Sequence, residues 1–354
     1  MSKTVGDDGT RIRPTTLRDV ARVVGVSQSA VSMALADHPR ISASRKQEVL
    51  LTAQRLGYVA NSAGRALRAQ RSDSIALVVP NTGRHVFGHP YFMHLLVGVN
   101  NASNERDSTV MISTNPDEQH GVAAYERVLR SRAVDGAIVA SAAVADPNVS
   151  RMVDSTVPVV LVGRFPNLPS AVSVAVDDTK AAYELTTHLL VDHGIRRIGH
   201  ISGPLDHQTS TDRYQGFRDA IGDLGLPVTQ ALATGDFSEE SGSAAARALL
   251  DSTPDLQAIF AANDEMAYGA LLECRERGLR VPEDIALVGF DDFGVSRLTT
   301  PALTTVRVPA EELGRTAANL LYQLIDGKIP KLRHTILAVE LVLRESCGYH
   351  PADA

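Results

Sequence analysis

The chain of 354 residues has almost no cysteine, with Cys274 and Cys347 its two thiols. Two cysteines so far apart in sequence exclude a disulfide scaffold and argue against a zinc site, so reduced thiols are the default. No run of about 18 apolar residues occurs, which excludes a helical membrane span. The opening MSKTVGDDGTRIR has no apolar stretch, which predicts no secretory signal and a cytoplasmic location. Signatures of catalysis are missing as well. No glycine-rich dinucleotide fingerprint follows a candidate strand, no phosphate-cradling loop ends in Lys-Ser or Lys-Thr, and no Gly-x-Ser-x-Gly elbow occurs. Neither an enzyme nor a bound cofactor is therefore expected. His85, His89 and His94 have spacing compatible with a metal, but they sit in a Gly/Pro-containing loop without a nearby cysteine and read as ordinary loop histidines.

Acidic residues are heavily outnumbered by basic ones in the first part of the chain. From Arg11 to Arg71 there are 11 Lys and Arg against three acids, Asp19, Asp37 and Glu48, a net of +8, whereas the whole chain carries −6. The remainder is accordingly acidic. A basic head on an acidic body is the footprint of a phosphate-binding module joined to something that does not bind a phosphate backbone.

Within the head, TLRDVARVVGVSQSAVSMAL, Thr16 to Leu35, reads as two short helices around a glycine turn. Thr16 and Asp19 make a capping-box-like start, and Val20, Ala21 and Val24 supply an apolar face. Gly25 stops the first helix where a left-handed backbone costs least. Ser27 caps the second helix, whose Ala30, Val31 and Ala34 turn inward. Gln28, Ser29, Ser32 and Met33 are left near its outward, N-terminal part. That is a helix-turn-helix, in which glutamine can pair with adenine and methionine can touch a thymine methyl in the major groove. A third helix, capped by Ser42 or Ser44, carries Val49, Ala53 and Leu56 at helical spacing and ends at Gly57. After it, Asn61 to Ser74 is arginine-rich and nearly without apolar partners. It suits either a solvated linker or a hinge that folds when DNA supplies its other surface.

Beyond Ser74, short β-rich runs alternate with amphipathic helices. The candidate strands are Ile75–Val79, Thr109–Ser113, Ala137–Ala140, Val159–Val162, Ile198–Ser202, Ala258–Ala261 and Ile285–Gly289, with helices such as Phe92–Ser103, Ala181–His193, Ser210–Leu224 and Met266–Arg277. The alternation predicts parallel, doubly wound sheets, and the length predicts two lobes. Ligands in such sheets bind at the carboxyl ends of strands, and Asn263 and Asp291 fall there.

The order and content of these pieces resemble the lactose-repressor (LacI/GalR) family of bacterial transcription regulators, from Thr16 to about Gly348. The resemblance implies an all-α helix-turn-helix head with a hinge helix, then an α/β body of two doubly wound parallel-sheet lobes, periplasmic-binding-protein-like. The implied divisions are a tail 1–14, a DNA-binding head 15–60, a hinge 61–73, a ligand-binding and dimerisation body 74–348 and a tail 349–354. Crossovers near 176–177, 291–292 and 333–334 would give lobe one 74–176 and 292–333, and lobe two 177–291 and 334–348. Carried onto this sequence, Gln28, Ser29 and Met33 read bases, and Thr16, Ser27, Arg40 and Tyr58 contact phosphates. Asn61, Arg65, Leu67 and Arg68 form the hinge, with Leu67 as the minor-groove wedge. Ala30, Met33 and Ala36 depart from the family's common threonine, arginine and asparagine, so the operator sequence does not carry over. Gly64 replaces a common alanine, which weakens an isolated hinge helix by about 1 kcal/mol.

In the body the resemblance makes Arg213, within STDRYQGF, a ligand-binding arginine and Phe237 an aromatic that stacks on the ligand. Arg164 and Phe92 are added to Asn263 and Asp291 as further candidates. The alternative roles are a helix cap for Asn263, an ion pair with Asp212 or Asp291 for Arg213, and a core position for Phe237. The implied partners are double-stranded DNA carrying a pseudo-palindromic operator, a small polar effector of the sugar or nucleoside class, and a second copy of the chain. Gly348 to Ala354 lacks a leucine heptad, so a dimer is expected. A solute-binding protein or a sugar-metabolising enzyme on the same body is the rival reading, opposed by the basic head.

Overall fold

The computed structural model describes residues 15–58, 71–117, 121–131 and 133–348. They fall into two units that divide between Ser72 and Asp73. The hinge candidates Asn61, Arg65, Leu67 and Arg68 lie outside the described residues.

The described part of the head has three helices, α1 (Leu17–Val24), α2 (Gln28–Leu35) and α3 (Ala43–Arg55). At the start of α1 the Asp19 carboxylate accepts from the Thr16 N–H at 3.0 Å and from the Thr16 hydroxyl at 2.6 Å. Gly25 closes α1 at φ 74°, a backbone that a side chain would strain. The Ser27 hydroxyl accepts from Ala30 N–H at 3.1 Å, and Ser42 rather than Ser44 caps α3. Val20, Ala21, Val31, Ala34, Val49 and Ala53 meet in one small core, flanked by Leu17, Leu35, Leu56 and Tyr58. So small a core suffices because the turns themselves are fixed by caps.

Twelve strands are described in the body: β1 (Ser74–Thr82), β2 (Thr109–Asn115), β3 (Gly136–Ala140), β4 (Val159–Val162), β5 (Val172–Val176), β6 (Arg197–Ser202), β7 (Thr229–Thr234), β8 (Ala258–Ala261), β9 (Ala286–Val288), β10 (Thr305–Arg307), β11 (His334–Leu337) and β12 (Glu340–Val342). Lobe one is a six-stranded sheet in the order β11-β5-β4-β3-β1-β2, and lobe two a four-stranded sheet in the order β7-β6-β8-β9. All pairs within both sheets are parallel. Central strands such as β3, β4 and β8 are buried along their whole length, as parallel strands covered on both faces must be. No described helix is long and apolar enough to cross a membrane.

Two of the expected crossovers move. Residues 292–304 stay with lobe two: Leu303 is buried in the cluster of Ile285 and Leu287, and Thr304 bridges Val288 in parallel. The chain returns to lobe one only after β10, where the helix Ala310–Ile325 packs on β3, β4 and β5. The third crossing also comes later. β11 pairs with β5 and so belongs to lobe one, placing the crossing between Leu337 and Glu340. β10 and β12 pair antiparallel, so the second and third crossings run side by side. Pairing of backbone amides, absent from any local pattern, decides both boundaries.

Candidate functional site

On the head, Gln28 and Ser29 are exposed in the first turn of α2, and Met33 is half-buried one turn on. Each of the three acids is held by a basic neighbour: Asp19 by Arg22 at 3.0 Å, Asp37 by Lys46 at 2.6 Å and Glu48 by Arg45 at 2.8 Å. The local negative charge is thereby neutralised, while Arg18, Arg40 and Arg55 stand exposed. The remaining field is positive and suits a phosphate backbone. Among the candidate phosphate contacts, Ser27 and Arg40 are exposed. Thr16 gives its hydroxyl proton to Asp19, and Tyr58 packs half-buried on the head core.

In the body, a cleft enclosing about 880 Å³ of space, part of it open to solvent, lies at the carboxyl ends of β3, β4, β5 and β6. This is where parallel sheets present loop ends and helix N-termini to a ligand. Arg213, on the second turn of the helix Gln208–Leu224, lies at its base and is only 5 % exposed. Its Nε donates to Asp178 Oδ1 at 2.8 Å, its Nη2 reaches Asp291 Oδ1 at 3.3 Å, and its Nη1 donates to the Ala262 carbonyl. The guanidinium also lies 3.7 Å from the Phe290 ring centroid. Burial works against the Arg213 charge, but the two carboxylates outweigh it and hold the arginine protonated. Burial pushes the Asp291 carboxyl up to about 7, although Arg213 pulls it down. Asp178 is raised for the same reason against the same pull.

Polar contacts join the lobes across this cleft. Arg164, following β4, pairs with Asp212 at 2.8 Å, and Gln208 donates to the same carboxylate at 2.7 Å. His89 Nε2 lies 3.2 Å from Asn263 Nδ2 and 3.6 Å from Glu265 Oε2. Burial raises Glu265 to about 6. The Val144 N–H donates to the Asp206 carbonyl at 2.9 Å.

Five of the six candidate ligand residues line the cleft: Phe92, Arg164, Arg213, Phe237 and Asp291. Asn263 does not. Its Oδ1 accepts from the Met266 N–H as the N-cap of the following helix, and its Nδ2 donates to the Phe237 carbonyl at 3.0 Å. It therefore supports Phe237, which sits at φ 73° with its ring against Gly203, where a Cβ would come within 2.2 Å of the ring. Arg213 takes the ion pair with Asp291, but its second partner is Asp178 and not Asp212. Phe92 is 3 % exposed, so it is core with one edge on the cleft. His94 faces Glu311 at 3.0 Å, whereas His89 meets Glu265 and Asp291, with ligand atoms within 4.8 Å of one another.

The chain is 35% identical to the HTH-type transcriptional regulator CelR of Thermobifida fusca over 340 residues, 95% of this chain and 99% of that protein. The chain belongs to the lacI family of bacterial regulatory proteins. The model of that family matches residues 16–61, and that of a periplasmic binding protein-like domain matches residues 187–347. A solved complex of CelR with cellobiose is 34% identical, with a TM-score of 0.72 over 94% of this chain and 99% of that one. A lac repressor dimer bound to operator and an anti-inducer shares the fold at 24% identity, with a TM-score of 0.83 over 95% and 99% of the two chains. As a lacI-family regulator, the chain is a DNA-binding protein whose body is a ligand-binding module.

Sequence reasoning missed Asp178, Tyr91 and Gln208, and considered Asp212 only as a partner of Arg213, whereas it pairs with Arg164. Asp178 pairs with Arg213, and burial with the Asp291 and Asp178 charges raises the Tyr91 phenol. One signal was present. Asp178 follows the strand Val172–Val176 by two residues, and the strand-end rule that picked Asp291 would have found it had β5 been among the candidate strands.

Proposed function

We propose that the chain is a cytoplasmic, homodimeric transcription repressor without enzymatic activity, reading a pseudo-palindromic operator and controlled by a neutral carbohydrate bound in the cleft. One observation carries the ligand class: the buried Arg213 charge is already balanced by Asp178 and Asp291. A phosphate or carboxylate entering beside Asp178 and Asp291, two buried carboxyls that already share one arginine and are hard to ionise, adds a further negative charge with no free cation among the described cleft residues to meet it, whereas hydroxyls find ready acceptors. Tyr91, Phe165 and Phe237 on the walls suit the apolar faces of a sugar ring. The likeness to the CelR–cellobiose complex supports the same class. Asp291, Arg213 and Arg164 would orient the hydroxyls, Phe237 and Phe92 would bound the ring, and Asn263 would hold Phe237.

Gln28, Ser29 and Met33 would read bases while Ser27, Arg40, Thr16 and Tyr58 position the head on phosphates. Asn61, Arg65, Leu67 and Arg68 would form the hinge, with Leu67 prying one base step. A ligand that alters the bridges Arg164–Asp212 and His89–Asn263 changes the relative energy of open and closed lobes. A coupling of about 1–3 kcal/mol is enough to regulate an operator.

The test is thermal unfolding of tag-free protein with cellobiose, other neutral mono- and disaccharides, nucleosides and sugar phosphates. The expected result is a raised melting temperature with a neutral sugar and none with its phosphate, together with a changed affinity for an operator selected from randomised palindromes. A response confined to sugar phosphates would overturn the ligand class. Operator affinity independent of salt would overturn the head's role, because six to ten phosphate contacts imply a fall of about 10³–10⁵ between 50 and 200 mM salt.

A further inference from the structure

At the end of the helix Asp178–Val191 remote from the cleft, three groups meet that no step above uses. His188 lies in the last turn and is buried, and His193 follows the helix, half-buried. Cys347 is 2 % exposed in the last described turn of the chain, Glu345–Cys347. His188 Nε2 is 3.1 Å from His193 Nε2 and 3.5 Å from Cys347 Sγ, and the three ligand atoms all lie within 4.8 Å of one another. Zinc–nitrogen bonds of about 2.0–2.1 Å and a zinc–sulfur bond of about 2.3 Å, at tetrahedral angles, require edges of about 3.3 and 3.6 Å. The two edges that meet at His188 Nε2, 3.1 and 3.5 Å, come within a few tenths of an ångström of these values, and the third is no longer than 4.8 Å.

The surroundings favour ligation. Asp192 Oδ2 lies 2.7 Å from His188 Nδ1. A carboxylate there takes the Nδ1 proton and leaves the Nε2 lone pair directed at the other two groups, the carboxylate–histidine–metal arrangement. The Thr304 hydroxyl stands 2.9 Å from the Arg344 carbonyl and 3.1 Å from Sγ, so its one proton can turn to the sulfur once that is a metal-bound thiolate, the stronger acceptor. The turn that carries Cys347 is anchored on its own: Ser346 Oγ accepts from the Thr304 N–H at 2.8 Å, and the Ser346 N–H donates to the Ala302 carbonyl at 3.1 Å.

We propose that His188, His193 and Cys347 bind one zinc ion, with water in the fourth position. The sequence conceals the set, since 154 positions separate Cys347 from His193 and neither cysteine lies near a second one. The ion would tie the last described turn to the end of a lobe-two helix whose other end carries Asp178. Binding only to the folded chain, it would add directly to stability.

Tag-free full-length protein, stripped with chelator and titrated with Zn²⁺ against a chromogenic competitor, should bind one ion per chain and melt at a higher temperature. Co²⁺ in its place should give a thiolate-to-metal charge-transfer band and tetrahedral d–d bands. Asp192→Asn should weaken Zn²⁺ binding by about 10–100-fold, the usual loss for an outer partner of a ligating histidine. Cys347→Ser and His193→Gln should each lose more than that, and the first should abolish the charge-transfer band. His193 is half-exposed, so its variant keeps the test open if Cys347→Ser fails to fold. No stoichiometric ion, binding without the thiolate band, or binding unchanged in His193→Gln would each overturn the site.

Discussion

Asp291 and Asp292 are joined by one peptide bond, are both buried, and have opposite electrostatics. Asp291 faces the cleft and shares a single arginine, Arg213, with Asp178. Burial wins, and its carboxyl rises to about 7. Asp292 faces the crossover strands, where Arg344 at 2.7 Å, Ser296 at 2.8 Å, Arg307 at 2.8 Å and Arg297 at 3.3 Å all donate to it. Burial pushes this carboxyl up too, but those donors outweigh it and hold it at about 2. The difference is one of donor count: a buried carboxylate is comfortable only when its lone pairs are filled. The crossover side is locked, and the cleft side is left with acceptor capacity that a ligand's hydroxyls can fill.

The largest expected effect comes from the locked side. Asp292→Ala leaves Arg344, whose side chain is 14 % exposed, without its carboxylate, while Arg297 and Arg307 can turn to water. Breaking a buried pair by removing one partner costs about 3–5 kcal/mol. Urea unfolding measures it directly. Asp291→Asn, which removes a poorly compensated charge, should cost no more than about 1 kcal/mol by the same reasoning. Equal losses in the two variants would break the contrast.

Acid and neutral pH should separate the neighbours next. A carboxyl at about 2 when folded, against about 3.9 when unfolded, contributes stability that is complete above pH 4 and fades as pH falls toward 2. A carboxyl raised to about 7 acts in the other direction. The folded chain holds its proton between about pH 4 and 7 while the unfolded chain does not, so stability declines as pH rises through that window. Asp292→Asn should therefore flatten the acid limb of a stability–pH curve, and Asp291→Asn the limb toward neutrality. Parallel curves for both variants and the parent would contradict the assignment.

What the sequence made legible follows the same division between local and distant causes. Val159–Val162 and Ala258–Ala261 appear as strands with the predicted bounds, because continuous small and branched apolar runs suffice for central parallel strands. Thr229–Thr234 was not legible: it is an edge strand with a half-exposed, polar-rich face. The three-residue strands Thr305–Arg307 and Glu340–Val342 pair with each other across more than thirty residues, and that displaced the expected crossovers. In the cleft, Arg213 and Asp291 were found from the family pattern and the strand-end rule. Asp178 and Tyr91 were not, since their roles come from groups far away in sequence, Arg213 for Asp178 and the buried charges of Asp178 and Asp291 for Tyr91. In the head, caps and the glycine turn are local, and they were read directly. The capping box of Thr16 and Asp19 is present as expected, and the Thr16 hydroxyl additionally donates to the Asp19 carboxylate.

The smallest expected effect sharpens the cleft side of the contrast. Arg164 is half-exposed, and its partner Asp212, 7 % exposed, keeps the Gln208 amide when the arginine is removed. Arg164→Gln should therefore leave no bare buried charge, and its effect on global stability should stay within about 1 kcal/mol, as for most partly solvated ion pairs. The same pair nevertheless joins the lobes, so losing it shifts the balance toward an open cleft by a similar amount. A ligand that prefers the closed lobes must then make up that difference, and its apparent affinity should fall about two- to fivefold. Calorimetric titration with the sugar that raises the melting temperature provides the measurement. A large loss of stability with unchanged affinity would mean that Arg164 braces the fold and takes no part in closing the cleft.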